Sequence, residues 1–436
     1  MQNHTFFHFD LAVSWQEKIR HIHASPWHGQ LEEAGTGSWV QSLLQTQAGA
    51  SATLDASHTR YAYEAQSQAY PNVPKSRSLS AERVNYWASY LQYHEPTGRE
   101  CCFALAMSGG LKTLNEPPQR DHHAWISLCF QQQQHTLHVR LKAQDRLEQQ
   151  MALGLLGIEL LYLLTQQTLS PEHMTPELQS LLEIDVWRVK DESLNDHLHR
   201  HITLLQTGWT SLIVFSSGHA RRYLSTLRYE HLQVEKGSFN PMTLAHQQAL
   251  KLAGELQPGA VPVFELSLHN ADKGHAETTD LLHRLNILAM QPALVVLTQT
   301  PTLLATRELL RVKAKARQVD FVCGTDLYLR VFMEKYYPDG IETALKQLFA
   351  YRTHLYVVQR PQSSYGNASL KGSQRLQLQY DTQIHPIPSA LNISSSAVRL
   401  ACEQEQEHWQ NWVTPEVATY MLQHRLYGLS TPERIS

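Results

Sequence analysis

Residues 237–246 read G-S-F-N-P-M-T-L-A-H and combine residue types that suit phosphate binding. Gly237 and Ser238 allow the backbone to turn tightly and to direct its N–H groups at phosphate oxygens. We expect a helix to begin near Thr243. Thr243 and His246 are three residues apart, so they share one face of the first helical turn, where the helix dipole favours anions. The segment predicts a phosphate site at a helix N-terminus.

Further motifs follow this segment in chain order. They are an H-R pair at 283–284 that we expect to open a helix, a C-G-T-D run at 323–326, a strand that ends at Arg360, an I-S-S-S-A-V-R run at 393–399, and a V-T-P to L-Y segment at 413–427. Each has an ordinary structural explanation when taken alone, since Ser394 would cap a helix and Arg399 would lie on the surface. Their order favours function, because independent caps would not assemble a second helix N-terminus for phosphate.

Together these motifs resemble the nucleotidyltransferase superfamily. The G-S-F-N-P start and the T-x-x-H form look most like the nicotinamide mononucleotide adenylyltransferases. The resemblance implies a Rossmann-like parallel-sheet domain over residues 229–436. It also implies transfer of the adenylyl group of ATP to a mononucleotide phosphate, nicotinamide or nicotinate mononucleotide, with release of pyrophosphate in NAD biosynthesis.

The resemblance further implies a role for each matched residue. His246, Thr243 and Arg399 are the implied catalytic residues, with His246 stabilising charge on the α-phosphate. The implied nucleotide-binding residues are Gly237, Ser238 and Phe239 at the reaction centre, Gly324 and Asp326 at the ribose, and Ser394 and Ser395 at the outer phosphates. Lys273 and Arg360 are implied in substrate binding. Mg²⁺ would enter with ATP and share the phosphate charge, so no resident metal site is expected.

Such a reaction needs no protein nucleophile, because the acceptor phosphate is already an anion, and catalysis is positioning plus charge stabilisation. The acceptor stays open, since residues 298–310 lack the tryptophans with which the family stacks the nicotinamide ring, and residues 233–236 are more charged than the family's apolar strand. Cytidylyl transfer to an alcohol phosphate and a non-catalytic nucleotide-binding module are the alternatives. The intact set of Thr243, His246 and Arg399 favours an enzyme.

The first part of the chain resembles another family. Residues 33–40, 48–51, 60–65 and 106–110 are similar to the CinA C-terminal domain, the nicotinamide-nucleotide amidohydrolases. These amidases use a serine and a lysine, an activated hydroxyl beside a base. Ala34 occupies the serine position and Gln66 the lysine position, although Tyr61 is retained. We therefore predict an inactive domain, for which nucleotide binding, contacts in a homo-oligomer and a scaffold role all stay open.

The elements that must position these residues alternate between helix and strand signals. This alternation predicts an α/β protein of two domains, 1–167 and 229–436, with residues 168–228 as a connector. In the second domain a mainly parallel sheet with right-handed crossovers is expected. Its predicted strands are 231–234, 260–266, 293–297, 320–323 and 353–358.

Composition excludes several other classes. The 436 residues include 37 Lys and Arg against 40 Asp and Glu, a net charge of −3, which leaves no basic surface for sequence-independent nucleic-acid binding. No apolar run reaches the roughly 20 residues of a membrane span. Residues 1–10 lack a signal-peptide pattern, so we expect a cytoplasmic protein with no membrane partner. The 5 cysteines and 25 histidines show no metal-ligand spacing.

Overall fold

The computed structural model describes residues 11–77, 79–94, 101–113, 121–216, 228–270, 274–275, 277–359, 374–388 and 391–429. The chain divides into two compact units, Met1–Thr210 and Ser211–Ser436. Each unit is an α/β fold built on its own sheet.

The first unit contains a six-stranded sheet in the order β2-β1-β3-β4-β5-β6. Its strands are β1 (His28–Ala34), β2 (Leu54–His58), β3 (Cys102–Gly110), β4 (His123–Phe130), β5 (Gln133–Leu141) and β6 (Leu182–Val189). Its helices are α1 (Val13–Ala24), α2 (Trp39–Leu44), α3 (Ala50–Thr53), α4 (Tyr63–Ala69), α5 (Ala81–His94), α6 (Arg146–Thr165) and α7 (Leu194–Gln206). Strands β2, β1 and β3 are parallel, and β3 to β6 form an antiparallel meander.

Helix α6 is the apolar centre of the first unit. Two glycines let α2 approach it closely, because a Cβ on Gly154 would lie 2.6 Å from Trp39 and one on Gly157 would lie 2.4 Å from Val40. Among the described helices, α6 alone is long and apolar enough to cross a membrane, and 72% of its most apolar 18-residue stretch is buried within the protein. This burial fits a core helix, in which the fully buried Glu159 forms an ion pair with Lys18.

The second unit contains a seven-stranded sheet in the order β15-β14-β13-β8-β9-β12-β7. Its strands are β7 (Leu212–Ser216), β8 (His231–Gly237), β9 (Val261–Ser267), β12 (Leu294–Thr298), β13 (Gln318–Gly324), β14 (Leu355–Gln359) and β15 (Ile384–Pro388), with a separate two-residue pair β10 (His269–Asn270) and β11 (Gly274–His275). Its helices are α8 (Leu244–Leu256), α9 (Thr278–Ala289), α10 (Leu303–Lys313), α11 (Thr325–Val331), α12 (Ile341–Leu348), α13 (Gln374–Gln379), α14 (Ser395–Glu403) and α15 (Pro415–Gln423). Only β7 runs antiparallel to its neighbour in this sheet, so the prediction of a mainly parallel sheet is confirmed.

The segment 168–228, predicted as a connector, supplies a strand to each unit. Strand β6 pairs with β5 in the first sheet, and β7 pairs with β12 in the second. The reason is that an apolar extended segment must find hydrogen-bond partners for its backbone, which a neighbouring sheet provides. Six consecutive residues of β6 are buried, so its sequence lacks the alternation that reveals a half-exposed strand.

The strand order of the second sheet reverses between β8 and β13. From β8 the chain adds β9 and then β12 on one side, and it then returns to add β13, β14 and β15 on the other side. In open α/β sheets ligands bind in the crevice outside the carboxyl ends of the strands at such a switch point. The loop that follows β8 therefore begins at the favoured place for a ligand.

Candidate functional site

The loop after β8 is built around a buried phenylalanine. Phe239 has a φ of 44° and is fully buried, with its ring edge-on to Phe264 and to His246 at centroid distances of 5.4 and 5.2 Å. A Cβ on Gly237 would lie 2.9 Å from the Phe239 ring, so glycine is required there. The side chain of Phe239, which the resemblance relates to the reaction centre, thus supports the loop from inside the unit.

Thr243 and His246 form a reciprocal cap at the N-terminus of α8, on the shared face that the sequence predicts. The backbone N–H of Thr243 donates to Nδ1 of His246 at 3.0 Å, and the Thr243 hydroxyl lies 2.8 Å from the same nitrogen. Because Nδ1 accepts a backbone hydrogen bond, a neutral His246 carries its proton on Nε2. The cap therefore fixes both the ring orientation and the tautomer of His246.

A pocket opens at the carboxyl ends of the strands beside this cap. Its lining comes from β8, β13, β14 and the first turns of α8, namely Glu235, Lys236, Gly237, Ala245, His246, Ala249, Cys323, Gly324 and Val358. A Cβ on Gly324 would meet no atom within 4 Å, so the space in front of it is open. Asp326 is exposed in the first turn of α11, directly after Gly324. The pocket thus lies at the switch point between β8 and β13.

Helix α14 brings a second N-terminus to the same loop. Ser394 caps α14 by accepting from the Ala397 N–H at 3.1 Å. Ser395 donates its hydroxyl to the Pro241 carbonyl at 2.7 Å, and Arg399 donates Nη1 to the Asn240 carbonyl. The two motifs that the sequence separates by about 150 residues are therefore in direct contact.

Two further donors to this loop lie in the H-R pair and in the 413–427 segment, for whose side chains the sequence predicted no role. Arg284 donates to the Ser238 carbonyl at 3.3 Å, and the Tyr427 hydroxyl donates to Oδ1 of Asn240 at 2.6 Å. We call the donors Arg284, Ser395, Arg399 and Tyr427 the loop clamp. Because the clamp binds oxygen atoms of residues 238–241, their negative dipole ends are paired with donors, which lowers the repulsion that an anion would meet there.

Burial is the main cause of the shifted pKa values of two side chains in this unit, Cys323 and His283. Burial, with the nearby Glu235 charge, raises the pKa of the Cys323 thiol to about 12, so this cysteine stays protonated and is a poor nucleophile. Burial and the neighbouring His424 lower the pKa of His283, whose Nδ1 lies 3.0 Å from the Tyr420 hydroxyl. The H-R pair lies within α9 and does not open that helix as the sequence predicted.

Lys236 lies at the carboxyl end of β8, and the sequence predicted no role for it. It lines the pocket and forms an ion pair with the buried Glu265 of β9. Lys273 and Arg360, both predicted to bind substrate, lie outside the described residues. Within the described part of the chain, no group of three or more His, Cys, Asp or Glu residues could hold a metal ion.

In the first unit, the two positions that the resemblance relates to a serine and a lysine hold neither a hydroxyl nor an amine. Ala34 ends β1 and is buried, and Gln66 is buried with its Nε2 donating to the Arg60 carbonyl at 2.8 Å. Tyr61 is 57% exposed. Burial raises the pKa of Glu33, at the end of the same strand, to about 7. Neither Ala34 nor Gln66 supplies a nucleophile or a base.

Comparisons with known proteins find likeness in fold. No protein-family model and no curated protein matches the chain. A CinA-superfamily protein from Klebsiella pneumoniae is 18% identical, with 35% of this chain and 97% of that one covered at a TM-score of 0.30, and CihA from Agrobacterium tumefaciens is 19% identical over 34% and 93% at 0.29. Nicotinic acid mononucleotide adenylyltransferase from Plasmodium falciparum, complexed with NaAD, is 17% identical over 46% of this chain and 99% of that one at 0.34. Each is a protein that this chain resembles in architecture, and any argument for function depends on the residues of the site.

Proposed function

We propose that the second unit is a nucleotidyltransferase that moves the adenylyl group of ATP to the phosphate of a mononucleotide, with nicotinamide or nicotinate mononucleotide as acceptor. The single observation that carries the proposal is the meeting of two capped helix N-termini, those of α8 and α14, on residues 238–241 at the switch point. Two positive dipole ends that meet at one loop suit a polyphosphate better than a singly charged ligand.

His246 is the central residue of this proposal. Its Nδ1 is occupied by the Thr243 cap, so its Nε2–H is the donor that faces other groups, and His246 lines the pocket. We assign that donor to the oxygens of the α-phosphate, where charge increases during transfer. A donor whose orientation is fixed before the reaction loses little energy to reorganisation, so it stabilises the transition state efficiently.

Arg399 would act in two ways. One nitrogen of its guanidinium donates to the Asn240 carbonyl, and the other lies 3.3 Å from the Ser396 hydroxyl. A guanidinium has five N–H donors, so contacts to the loop leave others for the outer phosphates of ATP. Arg399 would thus hold the loop and the leaving pyrophosphate together.

The bond changes balance without a protein nucleophile. An oxygen of the acceptor phosphate forms a bond to the α-phosphorus, and the bond from that phosphorus to the bridging oxygen breaks, with its electron pair leaving on pyrophosphate. Mg²⁺ arrives as part of the Mg·ATP substrate and shares the charge of the leaving group. Gly324 and Asp326 are assigned to the ribose, and Lys273 and Arg360 to substrate binding.

The test measures pyrophosphate release from ATP, and separately from CTP, with both nicotinamide and nicotinate mononucleotide. A His246→Gln variant keeps a side chain that suits the third position of a capping box while it removes the imidazole. We expect kcat/KM to fall about a hundredfold in this variant. His408→Ala, at an exposed histidine of the same unit, serves as the matched control and should retain activity.

Three outcomes would contradict the proposal. Equal activity in the wild type and in His246→Gln would remove His246 from the reaction. Activity with CTP alone would replace adenylyl transfer by cytidylyl transfer. A wild type that binds ATP but releases no pyrophosphate with either acceptor would leave a nucleotide-binding module.

A further inference from the structure

An ion pair joins β8 and β9 at their carboxyl ends. Lys236 is the second-last residue of β8 and lies directly opposite Glu265 in the register of the two strands. Its Nζ is 2.6 and 2.8 Å from the two carboxylate oxygens. The side chain of Lys236 is 10% exposed and that of Glu265 is fully buried. Two charges removed from water in this way require further hydrogen bonds to remain favourable.

Threonines complete the hydrogen bonding of this pair. The Thr298 hydroxyl donates to Glu265 at 2.5 Å, and the hydroxyls of Thr300 and Thr306 lie 3.3 and 3.4 Å from the carboxylate. Lys236 donates in addition to the Thr300 carbonyl at 2.9 Å and to the Thr306 hydroxyl at 3.2 Å. We call these five residues the Lys236 cluster. The Lys236 ammonium thus donates its hydrogen bonds to protein groups, and this scheme does not use it to bind a ligand.

The cluster holds the loop that connects β12 with α10, residues 299–302. Thr298 is the last residue of β12, and Thr306 lies in the first turns of α10. Ser267 adds a hydrogen bond to the Thr300 carbonyl at 2.9 Å, and the Leu268 N–H donates to the Thr298 carbonyl at 2.8 Å. The loop is therefore fixed to the carboxyl ends of β8, β9 and β12 together.

The strand order places this loop on one flank of the pocket. Gly324 and Val358 come from β13 and β14 on one side of β8, whereas the Lys236 cluster joins β8 to β9 and β12 on the other side. If the ATP ribose occupies the flank of Gly324, as proposed above, the second substrate must approach from the flank of β9 and β12. Lys236 belongs to both the pocket lining and the cluster, so it connects the loop with the reaction centre.

We infer that Lys236 and Glu265 are positioning residues that hold the 299–302 loop as the wall of the acceptor subsite. This inference rests on the proposed function, in which the resemblance relates residues 298–310 to the acceptor, and it adds the two side chains that fix the start of that segment. A wall fixed by a buried ion pair restricts the orientation of the acceptor phosphate, and a misplacement of about 1 Å can reduce a rate by orders of magnitude. Lys236 does not itself bind phosphate in this scheme, because its donors are engaged by the cluster.

The test compares Lys236→Met, the double variant Lys236→Met with Glu265→Met, and the control Lys251→Met at an exposed lysine of α8. The single variant leaves a buried carboxylate without its counter-charge and should be much less stable, whereas the double variant removes both charges and should regain stability. In the double variant we expect KM for the mononucleotide to rise about tenfold, with KM for ATP changed less than about twofold. Amide exchange of residues 299–302 should also accelerate relative to the wild type and Lys251→Met.

Several results would overturn the inference. Unchanged KM for the mononucleotide in a folded double variant would do so, and so would a rise in KM for ATP, which would make Lys236 a phosphate ligand. If the double variant does not fold, Thr300→Ala replaces it, because this variant keeps the ion pair. In Thr300→Ala, KM for the mononucleotide should rise by less than tenfold while KM for ATP again changes little. If the wild type releases no pyrophosphate, the proposed function fails, and unchanged amide exchange in the variants then overturns the positioning role separately.

Discussion

The turn at residues 34–38 of the first unit and the loop at residues 238–241 of the second unit both lead from the carboxyl end of a parallel strand into a helix. Both depend on a glycine that steric contact demands. A Cβ on Gly35, which has a φ of +76°, would lie 2.6 Å from the Gly109 carbonyl oxygen, and a Cβ on Gly237 would lie 2.9 Å from Phe239. The two backbones are thus maintained for similar packing reasons.

The side chains around the two turns differ. The second-unit loop is surrounded by His246 and the loop clamp, all of which bring N–H or O–H donors. In the first unit, Ala34 at the turn and Gln66 in α4 occupy the positions that the resemblance to the amidases relates to a nucleophile and a base. The comparison teaches that steric contact can impose similar turns whether or not donors surround them, so the shape of a turn alone is weak evidence of activity.

The largest effect should come from substituting the two glycines. We expect Gly35→Ala to destabilise the first unit by about 3 kcal/mol, since its Cβ meets backbone at positive φ, and Gly237→Ala to destabilise the second by about 2 kcal/mol, since the Phe239 ring can shift slightly. Gly340→Ala is the control, because φ there is +95° but no atom lies within 4 Å of its Cβ. Native-state amide exchange measures the free energy of unfolding of each unit separately. Equal costs at all three sites would show that conformation, not contact, sets the requirement.

A smaller effect concerns pH and the first unit. The pKa of Glu33 is raised by burial to about 7 from 4.5, so the folded state retains a proton that the unfolded state loses above pH 4.5. This group's contribution to stability therefore falls as pH rises through that window, by about 2 kcal/mol between pH 5 and pH 7. Glu33→Gln should abolish this part of the pH dependence.

Urea unfolding at both pH values checks the change as a difference between the wild type and Glu33→Gln. That difference cancels other groups, including His135, whose pKa burial lowers to about 3 and whose contribution has the opposite sign. Glu82→Gln, at an exposed glutamate of the same unit, is the control. Parallel pH profiles for the wild type and Glu33→Gln would show that Glu33 ionises in the folded state as it does in the unfolded chain.

The smallest expected signal is ammonia release. With Ala34 and Gln66 in place of a serine and a lysine, the chain should release no ammonia from nicotinamide mononucleotide above the background of a protein-free sample. The His246→Gln variant, assayed in parallel, identifies any release that depends on the second unit. Ammonia at equal rates from both proteins would mean that the first unit opens an amide by other residues, and the contrast between the two turns would disappear.

Much of the second sheet was predictable, because β9, β12, β13 and β14 contain short apolar runs between helical patterns and β8 begins with the predicted strand 231–234. The unpredicted strands break the usual patterns. Strand β1 is buried at all seven positions although it contains His28 and Glu32. Its polar side chains are accommodated because His28 pairs with Asp55 at 2.5 Å, and Glu32 pairs with Arg60. Edge strand β15 contains two prolines, which usually mark a loop in a sequence.

The candidate site also has a part that the sequence predicts and a part that it does not. The Thr243 and His246 cap and the Ser394 cap depend on residues three apart, so helical geometry alone predicts them. Tyr427 and the Lys236 cluster depend on contacts between distant segments. No local pattern indicates that a tyrosine near residue 427 reaches Asn240, or that a charged residue in β8 faces Glu265 across a strand pair.

The loop clamp has a consequence for the order in which the protein is made. The hydrogen bonds from Arg399 and Tyr427 to Asn240 span 159 and 187 residues of chain. During synthesis, the loop after β8 emerges long before the residues that hold it, so contacts of such high sequence separation form late. The first unit, Met1–Thr210, is by then available to fold as a whole. The loop after β8 would thus reach its clamped conformation only after Tyr427 has been synthesised, which makes its order a late marker of assembly of the second unit.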